Sequence, residues 1–344
     1  MKNILIVKLS SIGDVIHALP TLSVLRHNYP QAKITWIVEE KACGIVENHP
    51  YLDKVICINL KKMKLKEMIK LAHRLKQAKY DLVLDLQGLL KSGLISWFTR
   101  APVRLVYPIH REGSGLLATK AVASRPESLH VIQKCLDTVR ALNLTVTEKN
   151  LTDFQLNIRP EDEQFAQQFL NSQGVQDSDT LIGLNPGAAW PTKQWPPELF
   201  AQLADRLIEE NQAKIILFGG PSDLELTAAI EKNMQHTAIS SGGKTTLKQL
   251  AALIKHCRVF VGSDTGPMHI AVAVKTPVVA LFGPTDPGYS GPVNSHDQVI
   301  WSHLSCAPCF KVKECPQGTP LACMKAITPD MVQKKIAQII KEKK

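Results

Sequence analysis

Short β-rich runs alternate with segments of helical period along the first part of the chain, stop at a polar stretch, and then alternate again to near the end. The first set of runs lies at residues 3–9, 33–39, 53–59 and 80–86. Between them apolar residues recur at three- and four-residue steps, as at Leu65, Met68, Ile69, Ala72 and Leu75. Strands that alternate with helices in this way form βαβ units around a parallel sheet. Pro20 falls inside the first helical segment and predicts a kink or a restart there. Residues 103–125 read as irregular, 127–142 as a helix, and the polar, proline-terminated stretch 143–160 as a linker.

Beyond the linker, strands are predicted at 180–184, 214–218, 258–261 and 277–282, with helices at 161–170, 197–210, 223–234, 246–256 and 266–274. A chain of 344 residues has the length of two domains. The predicted fold is therefore α/β, with two Rossmann-like domains facing each other across a cleft that holds the ligands.

Lys and Arg number 41 against 31 Asp and Glu, a net charge of +10 that favours an anionic partner: nucleic acid, an acidic membrane face or a phosphorylated substrate. No stretch reads as a membrane span. The apolar run at 4–7 ends at Lys8, and the one at 271–282 is interrupted by Lys275 and Pro277, whereas a spanning helix needs about 20 apolar residues. The expected compartment is the cytoplasm, where the eight cysteines would not form a disulfide framework.

Four loops carry the candidate chemistry. Ser10-Ser11-Ile12-Gly13-Asp14 follows the first strand and opens a helix. Asp14 there is either a helix cap or a general base that takes a proton from an attacking hydroxyl. With one glycine the loop is not a dinucleotide fingerprint, which disfavours a nicotinamide-dependent oxidoreductase. Residues 262–269, Gly-Ser-Asp264-Thr265-Gly266-Pro-Met-His269, put small residues and a helix-opening proline after a strand. The amides of Thr265 and Gly266 can then point at a diphosphate, with Ser263, Thr265 and His269 as further donors.

Asn185-Pro-Gly-Ala-Ala-Trp190 runs into Thr192-Lys193-Gln-Trp195. Lys193, bracketed by two tryptophans and by prolines, reads as a fixed cation able to stabilise a departing phosphate. Asp223, closing Phe218-Gly-Gly-Pro-Ser-Asp223, either accepts from ribose hydroxyls or caps the next helix.

Lys61, Lys62, Lys64 and Lys66 open one predicted helix, where cations oppose the helix dipole. That conflict is relieved if they meet an anionic acceptor, and Lys91, Arg111 and Lys134 are candidates to join them. Late in the chain Cys306-x2-Cys309-x5-Cys315-x7-Cys323 offers four thiols, read as a structural zinc or iron site, as free thiols or as disulfides. Cys43, Cys57, Cys135 and Cys257 read as core residues. The G-x-G-x-x-A at 113–118 and the glycine pair at 88 and 93 lack the strand-to-helix setting and the spacing of nucleotide-binding motifs.

In their order along the chain, KLSSIGDVIHALP (8–20), DLQGLLKSG (85–93), NPGAAWPTKQWP (185–196), GSDTGPMHIA (262–271) and GPTDPGYSGP (283–292) resemble glycosyltransferase family nine, the lipopolysaccharide heptosyltransferases. WIVEE at 36–40 and the opening Lys8–Asp14 segment are similar to the type I branch, while the cysteine cluster is more often associated with others, type II included. The resemblance implies a GT-B fold, an ADP-heptose donor, an acceptor Kdo residue on lipid A, and an inverting displacement that needs no catalytic cofactor. It places the acceptor base on Asp14, the leaving-phosphate cation on Lys193 and the ribose acid on Asp223. The diphosphate loop falls on Asp264, Thr265, Gly266 and His269, with Gly13 and Thr192 added to the donor set. Acceptor contacts fall on the basic set Lys61, Lys62, Lys64, Lys91, Arg111 and Lys134.

The domains expected are 1–155 for the acceptor, 156–328 for the ADP-sugar, and a helix over 329–344 that crosses back to the first domain. The anionic partner is then a lipid at the cytoplasmic face of the inner membrane, met peripherally, and not nucleic acid. The alternatives are heptosyltransferase II, another ADP-sugar transferase of this family, or a non-catalytic nucleotide-sugar-binding protein.

Overall fold

Each half of the chain builds its own six-stranded parallel sheet in the computed structural model, which describes residues 1–294, 296–311, 315 and 320–342. The two compact units are Met1–Asn157 and Ile158–Lys344. Their boundary falls two residues past the predicted one, inside the stretch read as a linker.

In the first unit the strands are β1 (Asn3–Val7), β2 (Lys33–Glu39), β3 (Lys54–Ile58), β4 (Leu82–Asp85), β5 (Val103–Val106) and β6 (Lys120–Ala121). They lie in the order β3-β2-β1-β4-β5-β6, every neighbouring pair parallel. The second unit repeats the plan with β7 (Leu181–Asn185), β8 (Lys214–Leu217), β9 (Ile239–Ser240), β10 (Val259–Ser263), β11 (Val278–Phe282) and β12 (Gln298–Trp301), ordered β12-β11-β10-β7-β8-β9. Both sheets have the doubly wound order 3-2-1-4-5-6. The central strands are covered on both faces, so they read as unbroken apolar runs: Ile4 to Val7 and Val278 to Phe282 are each buried throughout.

Four strands escape the sequence reading. β6 and β9 are two residues long, too short to leave a pattern. β5 is interrupted by Arg104, and β12 is an edge strand with polar flanks. The first helix, Ile12–Asn28, runs as one element with Pro20 buried inside it, so the predicted restart does not occur. Residues 15–25 of that helix are all buried, and it packs along the helix Val131–Arg140; tertiary packing outweighs the local proline penalty.

The last helix, Pro329–Glu342, corrects the prediction that it belongs with the first domain. Val332, Ile336 and Ile339 form one apolar stripe, and all three sit in the second unit's core beside the helix Pro197–Asn211. Arg206 and Asp330 pair across the same contact. Residues 343–344 of the predicted segment lie outside the described residues. Cys135 and Cys257 are buried as expected, whereas Cys43 is half-buried and Cys57 exposed, and these two are joined as a disulfide between the helix Glu40–Val46 and β3.

Candidate active site

In a doubly wound sheet, ligands collect at the carboxyl ends of the strands where the order reverses. In the second unit that point lies between β7 and β10, and the predicted donor loops leave from these two strands. The loop after β7 holds itself closed: Asn185 Nδ2 donates to the Gly187 carbonyl at 2.9 Å. It ends in a short turn, Pro191–Lys193, which aims Lys193 across at the loop after β10. Lys193 Nζ donates to Asp264 Oδ2 at 2.6 Å and to the Asp264 carbonyl at 3.2 Å, and it stands 4.3 Å from the centre of the Trp190 ring.

Asp264 is 9% exposed, and its Oδ1 faces His269 Nε2 at 3.4 Å and Ser290 Oγ at 3.4 Å. Burial opposes its ionisation, but the hydrogen bond from His269 and the charge of Lys193 prevail and hold the carboxyl well below the usual range. Thr265 precedes the helix Gly266–Ala273 without a side-chain cap, and the helix's first amides, with no partner inside it, form a positive end. Ser263 Oγ, buried at the end of β10, has no hydrogen-bond partner. A half-buried cation, a helix N-terminus and the unpartnered Ser263 hydroxyl thus meet at one strand edge, which suits a diphosphate. Asp264 itself cannot donate to phosphate; its role is to position Lys193 and His269.

The other donor candidates fall at the same end of the sheet. Asp223 follows β8, and its Oδ2 accepts from the Gly220 amide at 2.8 Å, which closes the turn Pro221–Asp223; its side chain makes no capping hydrogen bond to the next helix, Leu224–Asn233. The carboxylate also lies against the loop after β7: a Cβ added at Gly187 would stand 2.5 Å from it and would have to displace it. Thr192 is buried, and its hydroxyl donates to the Lys311 carbonyl at 2.5 Å. Of the two tryptophans thought to bracket Lys193, only Trp190 stacks on it. Trp195 points into the core and donates to the Ile327 carbonyl at 2.9 Å.

In the first unit the reversal lies between β1 and β4, where Asp14 sits. Its Oδ2 accepts from the amide and hydroxyl of Ser11, both at 2.9 Å, so it does cap the helix. Its Oδ1 is 3.9 Å from Lys8 Nζ, and the side chain remains 41% exposed. Capping and an accessible carboxylate coexist.

Sequence reading missed what surrounds it. Lys8, 4% exposed, donates to the Leu86 carbonyl at 2.9 Å and lies 5.6 Å from the Tyr107 ring centre. Gln87 Oε1 accepts from the amides of Leu9 and Ser10, both at 3.0 Å, and shapes the loop before Asp14. Asp85 ends β4 and accepts from the amides of Gln87 and Gly88 and from Ser92 Oγ; burial nevertheless pushes its carboxyl up to about 6. The signal was a lysine ending an apolar strand, read only as an interruption, and an Asp-x-Gln-Gly directly after another strand. Gly13, placed with the donor set, is buried in this unit in the first helical turn, while the other donor candidates belong to the second.

The basic candidates other than Lys134 are spread along the same edge. Lys61, Lys62 and Lys64 are exposed ahead of the helix Leu65–Gln77, where the Glu67 carboxylate caps the Lys64 amide at 2.7 Å. Lys62, Lys70 and Arg74 line a cavity of about 470 Å³ together with Glu40 and Glu67. Lys91, in the first turn of the helix Leu90–Phe98, is paired at 2.8 Å with Glu39 at the end of β2. Arg111 is exposed, its amide donating to the Gly88 carbonyl at 2.8 Å. Lys134 lies apart from these, on the helix Val131–Arg140.

Cys306, Cys309, Cys315 and Cys323 are free thiols around one small cavity that they share with Thr192. Among the described residues no group of three or more His, Cys, Asp or Glu side chains is placed to hold a metal ion, so the zinc or iron alternative finds no support.

Two Rossmann-like sheets, each with its candidate loops at its own reversal point, form the GT-B fold of a glycosyltransferase. The chain belongs to glycosyltransferase family 9, the heptosyltransferases, whose family model matches residues 68–319. It is 29% identical over 320 residues to lipopolysaccharide heptosyltransferase 1 of Pseudomonas aeruginosa, covering 90% of this chain and 86% of that protein. Among solved structures it is similar to a family 9 glycosyltransferase from Veillonella parvula, with a TM-score of 0.87, 29% identity and coverage of 99% and 98% of the two chains. The E. coli ADP-heptose lipopolysaccharide heptosyltransferase II shares the fold, with a TM-score of 0.81, 24% identity and full coverage of both chains.

Proposed function

We propose that this protein is an inverting transferase that moves heptose from ADP-heptose to a Kdo residue of lipid A during synthesis of the lipopolysaccharide inner core. The observation that carries the reading is the half-buried Lys193 ammonium, held at the β7–β10 reversal beside the N-terminus of the helix Gly266–Ala273. As the glycosidic bond to ADP breaks, charge builds on the β-phosphate. Lys193 and the amides at that helix end take it up, so the step is assigned to the protein's own groups, with no catalytic cofactor. We assign Asp223, on the loop after β8, to accept from the ribose.

The first domain takes the acceptor. Asp14 removes the proton from its hydroxyl as that oxygen attacks the anomeric carbon from the face opposite ADP, and the sugar inverts. The basic residues at 61–64, with Lys91, Arg111 and Lys134, meet acceptor phosphates and carboxylates. No helix among the described residues is long and apolar enough to cross a membrane, and we place the enzyme peripherally at the cytoplasmic face of the inner membrane.

The test is incubation with ADP-heptose and Kdo-lipid A. Equimolar ADP release and a product heavier by one heptose are expected. Transfer only to an acceptor that already carries a heptose would instead make this a type 2 enzyme. ADP binding with no transfer to any acceptor in a core-oligosaccharide panel would make it a binding protein.

A further inference from the structure

One surface of the first unit combines exposed apolar side chains with charge of a single sign. On the helix Leu65–Gln77 only Leu75 is buried, while Leu65, Met68 and Ile69 are 72, 47 and 61% exposed and lie on one face at three- and four-residue steps. The next helix, Leu90–Phe98, exposes Leu90, Leu94 and Phe98, a second stripe at four-residue steps. Leu75 and Ile95 anchor the two helices on the same core cluster, and the helices pack against each other, so their outward stripes are neighbours. Against the second helix rests the turn Ser114–Leu117, whose Leu116 is 91% exposed. Arg100 stacks on the Trp97 ring at 3.8 Å at the end of that helix.

On and just ahead of the first of these helices the charge is almost wholly positive, while on the second the Leu90 amide donates to Glu112 and Lys91 pairs with Glu39. Between residues 61 and 79 stand Lys61, Lys62, Lys64, Lys66, Lys70, Arg74, Lys76 and Lys79, with Glu67 the lone acid. Lysines flanking exposed apolar side chains on a helix are the composition of an element that lies in a membrane interface. The ridge is made of outward helix faces, so it can press into a soft layer. A second copy of this chain would bring two sets of these cations together, which like-charge repulsion opposes.

We infer that the helices Leu65–Gln77 and Leu90–Phe98, with the turn at Leu116, form a membrane-docking face. It sets Leu65, Ile69, Leu94, Phe98 and Leu116 into the boundary between headgroups and acyl chains, while the lysines bind anionic headgroups. This deepens the proposed function and rests on it for the amphiphilic nature of the acceptor. It also gives the basic cluster ahead of Leu65 a second task besides holding acceptor phosphates.

The test is vesicle flotation, which needs no turnover and so separates failure of this inference from failure of the transferase reading. The full chain is expected to float with vesicles of mixed phosphatidylglycerol and phosphatidylcholine, weakly with phosphatidylcholine alone, and less as salt rises. Leu65→Ser/Ile69→Ser and, separately, Leu94→Ser/Phe98→Ser should each reduce partitioning by about tenfold or more. Melting temperature and ADP binding should stay those of the parent. The inference is overturned if the parent chain fails to float with the anionic vesicles, or if both variants float as it does. It is equally overturned if sedimentation shows a dimer that these substitutions dissociate.

Discussion

Lys193 Nζ lies 2.6 Å from Oδ2 of Asp264 and 3.2 Å from the carbonyl oxygen of the same residue, so one ammonium ties the loop after β7 to the loop after β10. Both groups are largely removed from water, at 14 and 8% exposure. An ion pair held this far from solvent is costly to break from one side, because the partner is left charged and alone. The pair therefore fixes a cation at the edge of the sheet before any donor arrives. Trp190 on one side and His269 on the other restrict where the ammonium and the carboxylate can go.

Replacing Lys193 by Met should lower kcat by about 10²–10³-fold, the loss seen when a donor to developing negative charge is removed. The substitution also strands Asp264, so the double variant Lys193→Met/Asp264→Asn is the companion. It should regain stability and remain equally slow, as steady-state kinetics alongside thermal melts will show.

Asp264→Asn alone should destabilise the second unit by about 3–5 kcal/mol at neutral pH, since it leaves a largely buried lysine without its counter-charge. Because the folded-state pKa of Asp264 lies below its ordinary value of 3.8, its contribution is present above that pH and fades as the pH falls through and below it. Urea unfolding of parent and variant should therefore differ most near neutrality and converge in acid.

At Asp14, Asn retains a side-chain oxygen that can accept from the Ser11 amide but cannot take a proton. Asp14→Asn should keep unfolding stability within about 1 kcal/mol of the parent, with unchanged ADP affinity. Turnover should fall on the order of 10²–10⁴-fold. A variant that turns over normally would remove Asp14 from the base role and leave it as a cap.

Asp85 runs the other way. Its pKa is raised to about 6 by burial, so the native state holds this proton more tightly than the unfolded chain does. Stability contributed by the protonated form is complete in acid, declines between the unfolded value of 3.8 and about 6, and stays reduced above that. Asp85→Asn can keep the acceptor for the Gln87 and Gly88 amides without the buried charge. It should be more stable than the parent by about 2 kcal/mol at pH 7, a difference that denaturant titration should find gone in acid.

At Gly187, even one methyl group meets the Asp223 carboxylate at 2.5 Å. Gly187→Ala should displace the Asp223 carboxylate at a cost of about 1–3 kcal/mol. ADP affinity measured by calorimetry should fall about tenfold or more if Asp223 holds the ribose.

Much of this was legible before any coordinates. Central strands such as residues 4–7 and 278–282 announce themselves because burial on both faces makes them uniformly apolar. Asp14, Lys193 and Asp264 stand out as polar residues in tight turns directly after such strands. What escaped detection depends on contacts between distant segments. Lys8 reads as a break in a strand until Leu86 and Asp14 are brought beside it. The Lys193–Asp264 pair joins positions 71 residues apart. The helix Pro329–Glu342 has an apolar stripe that any partner would satisfy, and only the folded chain shows that the second sheet takes it.

The central claim, that Lys193 is the cation which meets the donor diphosphate, is tested most directly by a crystal structure with ADP bound. The account predicts the β-phosphate at the open end of the helix Gly266–Ala273, with Lys193 Nζ within hydrogen-bond reach of it. ADP bound away from the β7–β10 edge, or a diphosphate out of reach of a Lys193 still committed to Asp264, would contradict it.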